Sequence, residues 1–156
     1  TMLAVSQNEF GGPEVLHLVS LPIPTPGVGE VLIRVHAAGV NPVDGYNRDS
    51  GLLIGSPPFV LGWDVSGTVT AVGPGVTVHA PGDEVFGLLP FPRGHGGYAQ
   101  YAVGPARAVS VAMPESRSTM LSAVRSAVRM PWAGPSTRIR VAPFSTRSPS
   151  AASTLI

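Results

Sequence analysis

The 156-residue chain contains no cysteine and no lysine. The first absence removes disulfides, a thiol nucleophile and every zinc site built on thiolate ligands. The second removes the phosphate-binding loop G-x-x-x-x-G-K-[ST]. Two glycine clusters remain, Gly73-Pro74-Gly75 and Gly94-His95-Gly96-Gly97, but neither continues as G-x-G-x-x-G. They read as turns, and no dinucleotide-binding fingerprint is present. Apolar runs stay far below the roughly 18–20 residues that a membrane helix needs. The opening TMLAVSQNEF lacks a basic segment followed by an apolar one, so no signal peptide is expected and the chain is assigned to the cytoplasm. Histidine is scarce too. His17, His36, His79 and His95 form no His-x-x-x-His pair, and each is expected to be a surface or internally satisfied residue, not a metal ligand.

What the chain does have is turn chemistry between short apolar stretches. Gly (19) and Pro (17) are plentiful, while 44% of residues are hydrophobic and only 12% charged, a balance typical of a folded globular domain. The stretches MLAVS (2–6), VLHLVS (15–20), EVLIRVHAAGV (30–40), SGTVTAVG (66–73), PGDEVFGLLP (81–90) and GGYAQYAVG (96–104) read as strands or strand-turn units. In the third, Val31, Ile33 and Val35 share one face, and Leu32, Arg34 and His36 the other. PIPTPGVGE (22–30) is too rich in proline for a central strand and reads as an extended connection. Strands at this spacing predict a mainly β fold, a partly open antiparallel barrel with short helices. Asn41-Pro42-Val43-Asp44 carries the chemistry of a helix start, with Asn41 as N-cap, Pro42 at the first position and Asp44 in the first turn. Gly51 is the expected stop.

The texture changes near residue 113. Residues 1–115 hold nine acids and four Arg, for a net of −5, whereas residues 116–156 hold six Arg and no acid, for a net of +6. Residues 113–156 are dominated by Ser, Arg, Pro and Ala, a composition that favours disorder. One weakly helical segment is expected there, with Leu121, Val124 and Val128 at helical spacing, Ser118 as cap and Pro131 as stop. All ten basic residues are Arg, which suggests a GC-rich coding sequence. A shift of reading frame near residues 106–115 is the expected origin of this tail, and translation of the other two frames tests it.

The stretches EFGGPEVLHL, PGVGEVLIRVHAAGVNPVD, PPFVLGWDVSGTVTAVGPGV, PGDEVFGL and GGYAQYAV occur in this order. Together they resemble the N-terminal GroES-like domain of the medium-chain dehydrogenase/reductase superfamily, in its zinc-free NADPH:quinone reductase and zeta-crystallin branch. The resemblance covers about residues 2–112 and implies a GroES-like domain at 1–112. In that family a Rossmann domain follows, with the active site between the two. Residues 113–156 are too few for one and lack its glycine-rich turn. The implied cofactor is NADPH, and the implied substrate is a small quinone or enone.

Zinc-dependent relatives carry a Cys near the position of Asn41 and a Gly-His-Glu triplet where this chain has Gly62-Trp63-Asp64. A lone carboxylate does not hold zinc, so no metal is expected. The resemblance places the cofactor against Asn41, gives Tyr46 and Asp44 catalytic roles, and sets Trp63 and Asp64 in the substrate cleft. Each has a plainer role open to it: Asn41 as helix cap, Asp44 as first-turn acid, Tyr46 as a half-buried surface residue and Trp63 as packing. Without a covering domain, Leu52, Leu53, Ile54 and Phe59 are expected to form an exposed apolar patch that favours association or a homo-oligomer. Two other readings stay open. One is a catalytically silent, truncated domain. The other is a binding module with a basic tail, for which six Arg among few aromatics are a weak nucleic-acid signal.

Overall fold

A computed structural model describes residues 1–94 and 96–112 of the chain. The expected helix around Leu121, Val124 and Val128, the Arg-rich segment and His95 lie outside the described residues. Within them the order of elements is β1 (Met2–Gln7), β2 (His17–Leu21), β3 (Glu30–Ala38), α1 (Pro42–Ser50), β4 (Phe59–Val60), β5 (Asp64–Val72), β6 (Glu84–Leu88), β7 (Tyr101–Pro105) and β8 (Val109–Val111). Two short 3-10 turns, Pro13–Val15 and Ala106–Ala108, complete the list.

Two antiparallel sheets form the body. One has the order β2-β1-β4 and the other β7-β3-β5-β6-β8. Among the described residues they do not close into a full barrel, in keeping with the partly open form expected. The segment before β7 joins them. Val5 donates its N–H to the Tyr98 carbonyl at 2.8 Å, Gln100 donates to Leu3 at 2.9 Å, and Val35 donates to Gln100 at 2.8 Å. This explains why β7 begins at Tyr101 and not at residue 96: the preceding backbone groups serve both sheets at once. Likewise β2 begins at His17 because Pro13–Val15 has already turned. β4 and β8 are too short for any period to announce them.

The main core lies between the sheets and gathers Val31, Ile33, Leu61, Trp63, Val69, Val85 and Leu89. Alternation in β3 delivers Val31, Ile33 and Val35 to it while Arg34 and His36 stay exposed. The apolar patch expected from sequence needs one correction. Leu52 and Leu53 are exposed, but Phe59 is buried in the main core and Ile54 packs against it. Phe59 pairs with Gln7 across β1 and β4, which turns its ring inward.

Helix α1 forms where the sequence predicts it. Pro42 fills the first turn, where its missing N–H costs nothing, and Asp44 accepts the Asn41 N–H at 2.7 Å. Gly51 ends the helix in the left-handed region at φ 65°. A Cβ there would collide with the Gly55 carbonyl and the Phe10 ring. The far end of the helix is strapped to the segment after β1. Buried Gln7 donates its amide to the carbonyls of Glu9 (2.8 Å) and Arg48 (2.9 Å), and Arg48 Nε donates to the Gly11 carbonyl at 2.9 Å.

Candidate active site

The start of α1 faces the start of β5, and the two share a network of hydrogen bonds around one buried carboxylate. Asp44 uses both oxygens. Oδ2 accepts the Asn41 N–H and Oδ1 accepts the Gly62 N–H at 3.1 Å. Asn41 Nδ2 in turn donates to Asp64 Oδ2 at 2.6 Å. Gly39 closes the arrangement by donating its N–H to the Asp64 carbonyl at 3.0 Å. Two chain segments are thus held by short polar contacts that need a carboxylate at position 44 and an amide at position 41.

Gly62 has φ 94°, and a Cβ there would press on the Tyr98 ring at 2.6 Å. Its carbonyl accepts the N–H groups of Gly96 (3.0 Å) and Gly97 (2.9 Å). The Tyr98 ring therefore lies close against the glycine that precedes Trp63. Its buried hydroxyl lies near the Asp44 carboxylate, without a hydrogen bond of ordinary geometry. Burial pushes the Asp44 carboxyl above its usual range, and the Asp64 charge pushes the same way. The N–H groups of Asn41 and Gly62 and the nearby Tyr98 hydroxyl oppose that rise. Burial also pushes the Tyr98 phenol up, and the charge of Asp44 adds to it.

The structure brings Asn41, Asp44 and Asp64 into one network. Trp63 follows Gly62 directly but faces the other way: it is 1% exposed, donates its Nε1–H to the Pro92 carbonyl at 3.1 Å, and meets the Phe91 ring at 5.2 Å. Strand alternation accounts for this, since Trp63 and Asp64 are neighbours that point to opposite sides. Asp44 is enclosed, so it braces the backbone of the site and offers no free oxygen to a ligand. Tyr46 is 60% exposed on α1. Asn41 and Asp64 are half-buried and so remain within reach of a small molecule.

The donor set suits hydrogen bonding better than zinc. Asn41 commits its amide N–H to Asp64, and the Trp63 indole has no lone pair to give. Asp64 is left as one anionic ligand where a catalytic zinc takes three. Among the described residues, no group of three or more His, Cys, Asp or Glu could hold a metal ion. His79 is occupied elsewhere, its Nε2 set against the carbonyls of Ala106 (2.9 Å) and Val109 (3.2 Å). No helix of the described residues is long and apolar enough to cross a membrane.

Sequence reasoning missed Tyr98 and Asn47. Tyr98 carries no local sign of its partner, because the contact with Gly62 and Asp44 is made only by folding. Asn47 did leave a sign: asparagine inside a helix is a poor helix former that needs a local reason to stay.

Residues 27–115 match the alcohol dehydrogenase GroES-like domain family. The quinone oxidoreductase of Rattus norvegicus is 47% identical over 105 residues, which make up 65% of this chain and 31% of that protein. The chain thus spans about a third of the length of the curated relatives it matches. The structure of the Coxiella burnetii quinone oxidoreductase superposes with a TM-score of 0.67 at 33% identity, covering 73% of this chain and 38% of that one. The Escherichia coli quinone oxidoreductase, solved in complex with NADPH, gives a TM-score of 0.66 at 27% identity, over 72% of this chain and 34% of that one. The ordered motifs, the open two-sheet fold and the match over residues 27–115 agree: the chain belongs to the alcohol dehydrogenase GroES-like domain family, and the proteins it resembles above are quinone oxidoreductases.

Proposed function

We propose that this domain is the substrate-side half of a zinc-independent, NADPH-dependent reductase of the cytoplasm that acts on a small quinone or enone. One observation carries the reading. Asn41, Asp44 and Asp64 form a closed hydrogen-bond network where a metal centre would need free donors, and exposed Tyr46 stands on the same helix. The relatives named quinone oxidoreductase, one of them solved with NADPH, support it.

The residues present fit the nicotinamide end of such a cofactor and not its pyrophosphate, for which the sequence has no glycine-rich strand-to-helix turn. Bound NADPH would supply the hydride. The protein's part is position and polarity. Tyr46 donates its O–H to the substrate oxygen on which charge develops. Asn41 orients the nicotinamide or the substrate, with its own amide fixed by Asp64. Asp44 acts as a positioning residue, since its oxygens hold the N–H groups of Asn41 and Gly62. Trp63 backs the site from the core side and keeps water out behind Asp64.

Titration with NADPH and with a quinone tests this. Binding of both, with oxidation of NADPH where a cofactor domain completes the site, is the expected result. Failure to bind either would overturn it. A second reading, a catalytically silent domain, draws on the match to only 31% of the rat relative. It predicts quinone binding without NADPH oxidation.

A further inference from the structure

Tyr98 keeps a hydroxyl where a phenylalanine ring would pack at less cost. The residue is 8% exposed, and its hydroxyl is buried without a hydrogen-bond partner of ordinary geometry among the described residues. An unpaired polar group in a core is costly and calls for a reason. Backbone bonds fix where the side chain stands. Tyr98 donates its N–H to the Leu61 carbonyl at 2.9 Å, and its carbonyl accepts the Val5 N–H at 2.8 Å. Gly96 and Gly97, just before it, both donate to the Gly62 carbonyl. The ring is thereby set against Gly62, and the hydroxyl near the Asp44 carboxylate.

Asp44 has a need that a neighbouring donor meets. Its two oxygens each accept a backbone N–H, one from Asn41 and one from Gly62. Protonation would turn one oxygen into an O–H donor and weaken its hold on one of those groups. Burial and the Asp64 charge both favour the proton, whereas the Tyr98 hydroxyl opposes it. That hydroxyl is a lasting donor. Burial and the charges of Asp44 and Asp64 push the phenol up, against a smaller opposing effect of Arg48.

We propose that Tyr98 is a positioning residue for the candidate active site: its hydroxyl keeps Asp44 an acceptor on both oxygens, and so holds Asn41 against Asp64. The inference rests on the proposed reductase reading, in which Asn41 and Asp64 face the ligand.

The test uses the 156-residue chain and its Tyr98→Phe variant, which keeps the ring and removes only the oxygen. Carbon NMR follows the Asp44 carboxyl through a pH titration, and the Asn41 side-chain amide is followed in the same samples. In Tyr98→Phe the Asp44 midpoint should move up, because a donor to the charged form is gone. The Asn41 amide signal should move with it. NADPH affinity, measured across the same range, should fall off on the acid side at a higher pH than in the wild type. Inside that window it should be about twofold to tenfold weaker, the range that one hydrogen bond spans.

A role in packing alone would leave both pH profiles where they are, since the ring remains. An Asp44 midpoint that stays or moves down in Tyr98→Phe would therefore overturn the inference and leave the reductase reading standing. An NADPH profile identical in the two proteins would do the same. Failure of the wild type to bind NADPH and a quinone would overturn that reading, and this inference with it.

Discussion

Asp44 concentrates the chemistry of the site in one carboxylate that never reaches solvent. Asp44→Asn should destabilise the domain by about 1–3 kcal/mol, because the new amide must turn an NH2 toward either the Asn41 or the Gly62 N–H. Urea unfolding measures this. The pH dependence has a definite sign. Burial raises the folded carboxyl above its ordinary 3.8, so the folded state favours the proton. The stability that Asp44 contributes is full below the unfolded value and falls as pH rises through the raised folded one. The stability gap between wild type and Asp44→Asn should therefore narrow across that window. Trp63 makes the contrast. Trp63→Ala should cost about 3–5 kcal/mol through lost core volume, whereas Tyr46→Phe, at an exposed position, should leave the unfolding midpoint nearly unchanged. Differential scanning calorimetry distinguishes the two.

At the scale of elements, α1 depends on its ends. Its capping residues were legible in sequence because they act on neighbours: Asn41, Pro42 and Asp44 at one end and Gly51 at the other. Gly51→Ala should cost at least about 1 kcal/mol from the left-handed backbone alone, plus the clash with the Gly55 carbonyl, as read from urea melts. β3 was legible for the same reason, since alternation sorts its side chains without help from distant residues. What escaped the sequence has a common cause. β4 and β8 are too short to show a period, and the start of β7 is moved by cross-sheet bonds at residues 98–100. The strap from Gln7 to Arg48 joins parts of the chain that no local pattern connects.

For the molecule as a whole, the consequence lies in surface left uncovered. Leu52 and Leu53 expose apolar area on the turn that follows α1. The chain should bind a hydrophobic dye there and associate as concentration rises, and both effects should weaken in a Leu52→Ser, Leu53→Ser double variant. Sedimentation velocity and dye fluorescence read the two effects. Phe59, which sequence alone assigned to this patch, contributes nothing to it, because pairing with β1 turned it into the core.

By itself the sequence determined the mainly β class, the helix at Asn41–Gly51 and the family, since ordered motifs, capping residues and strand alternation are local properties. It also determined which chemistries are out of reach, because no fold can supply a thiolate to a chain without cysteine. Only the tertiary structure decided how the candidate residues divide. Alternation at the start of β5 sends Trp63 inward and leaves Asp64 beside Asn41, and closure of the loop over Gly62 buries Asp44 under Tyr98. These outcomes depend on which distant segments pack together, and burial and hydrogen bonding between distant segments are not written in any one of them.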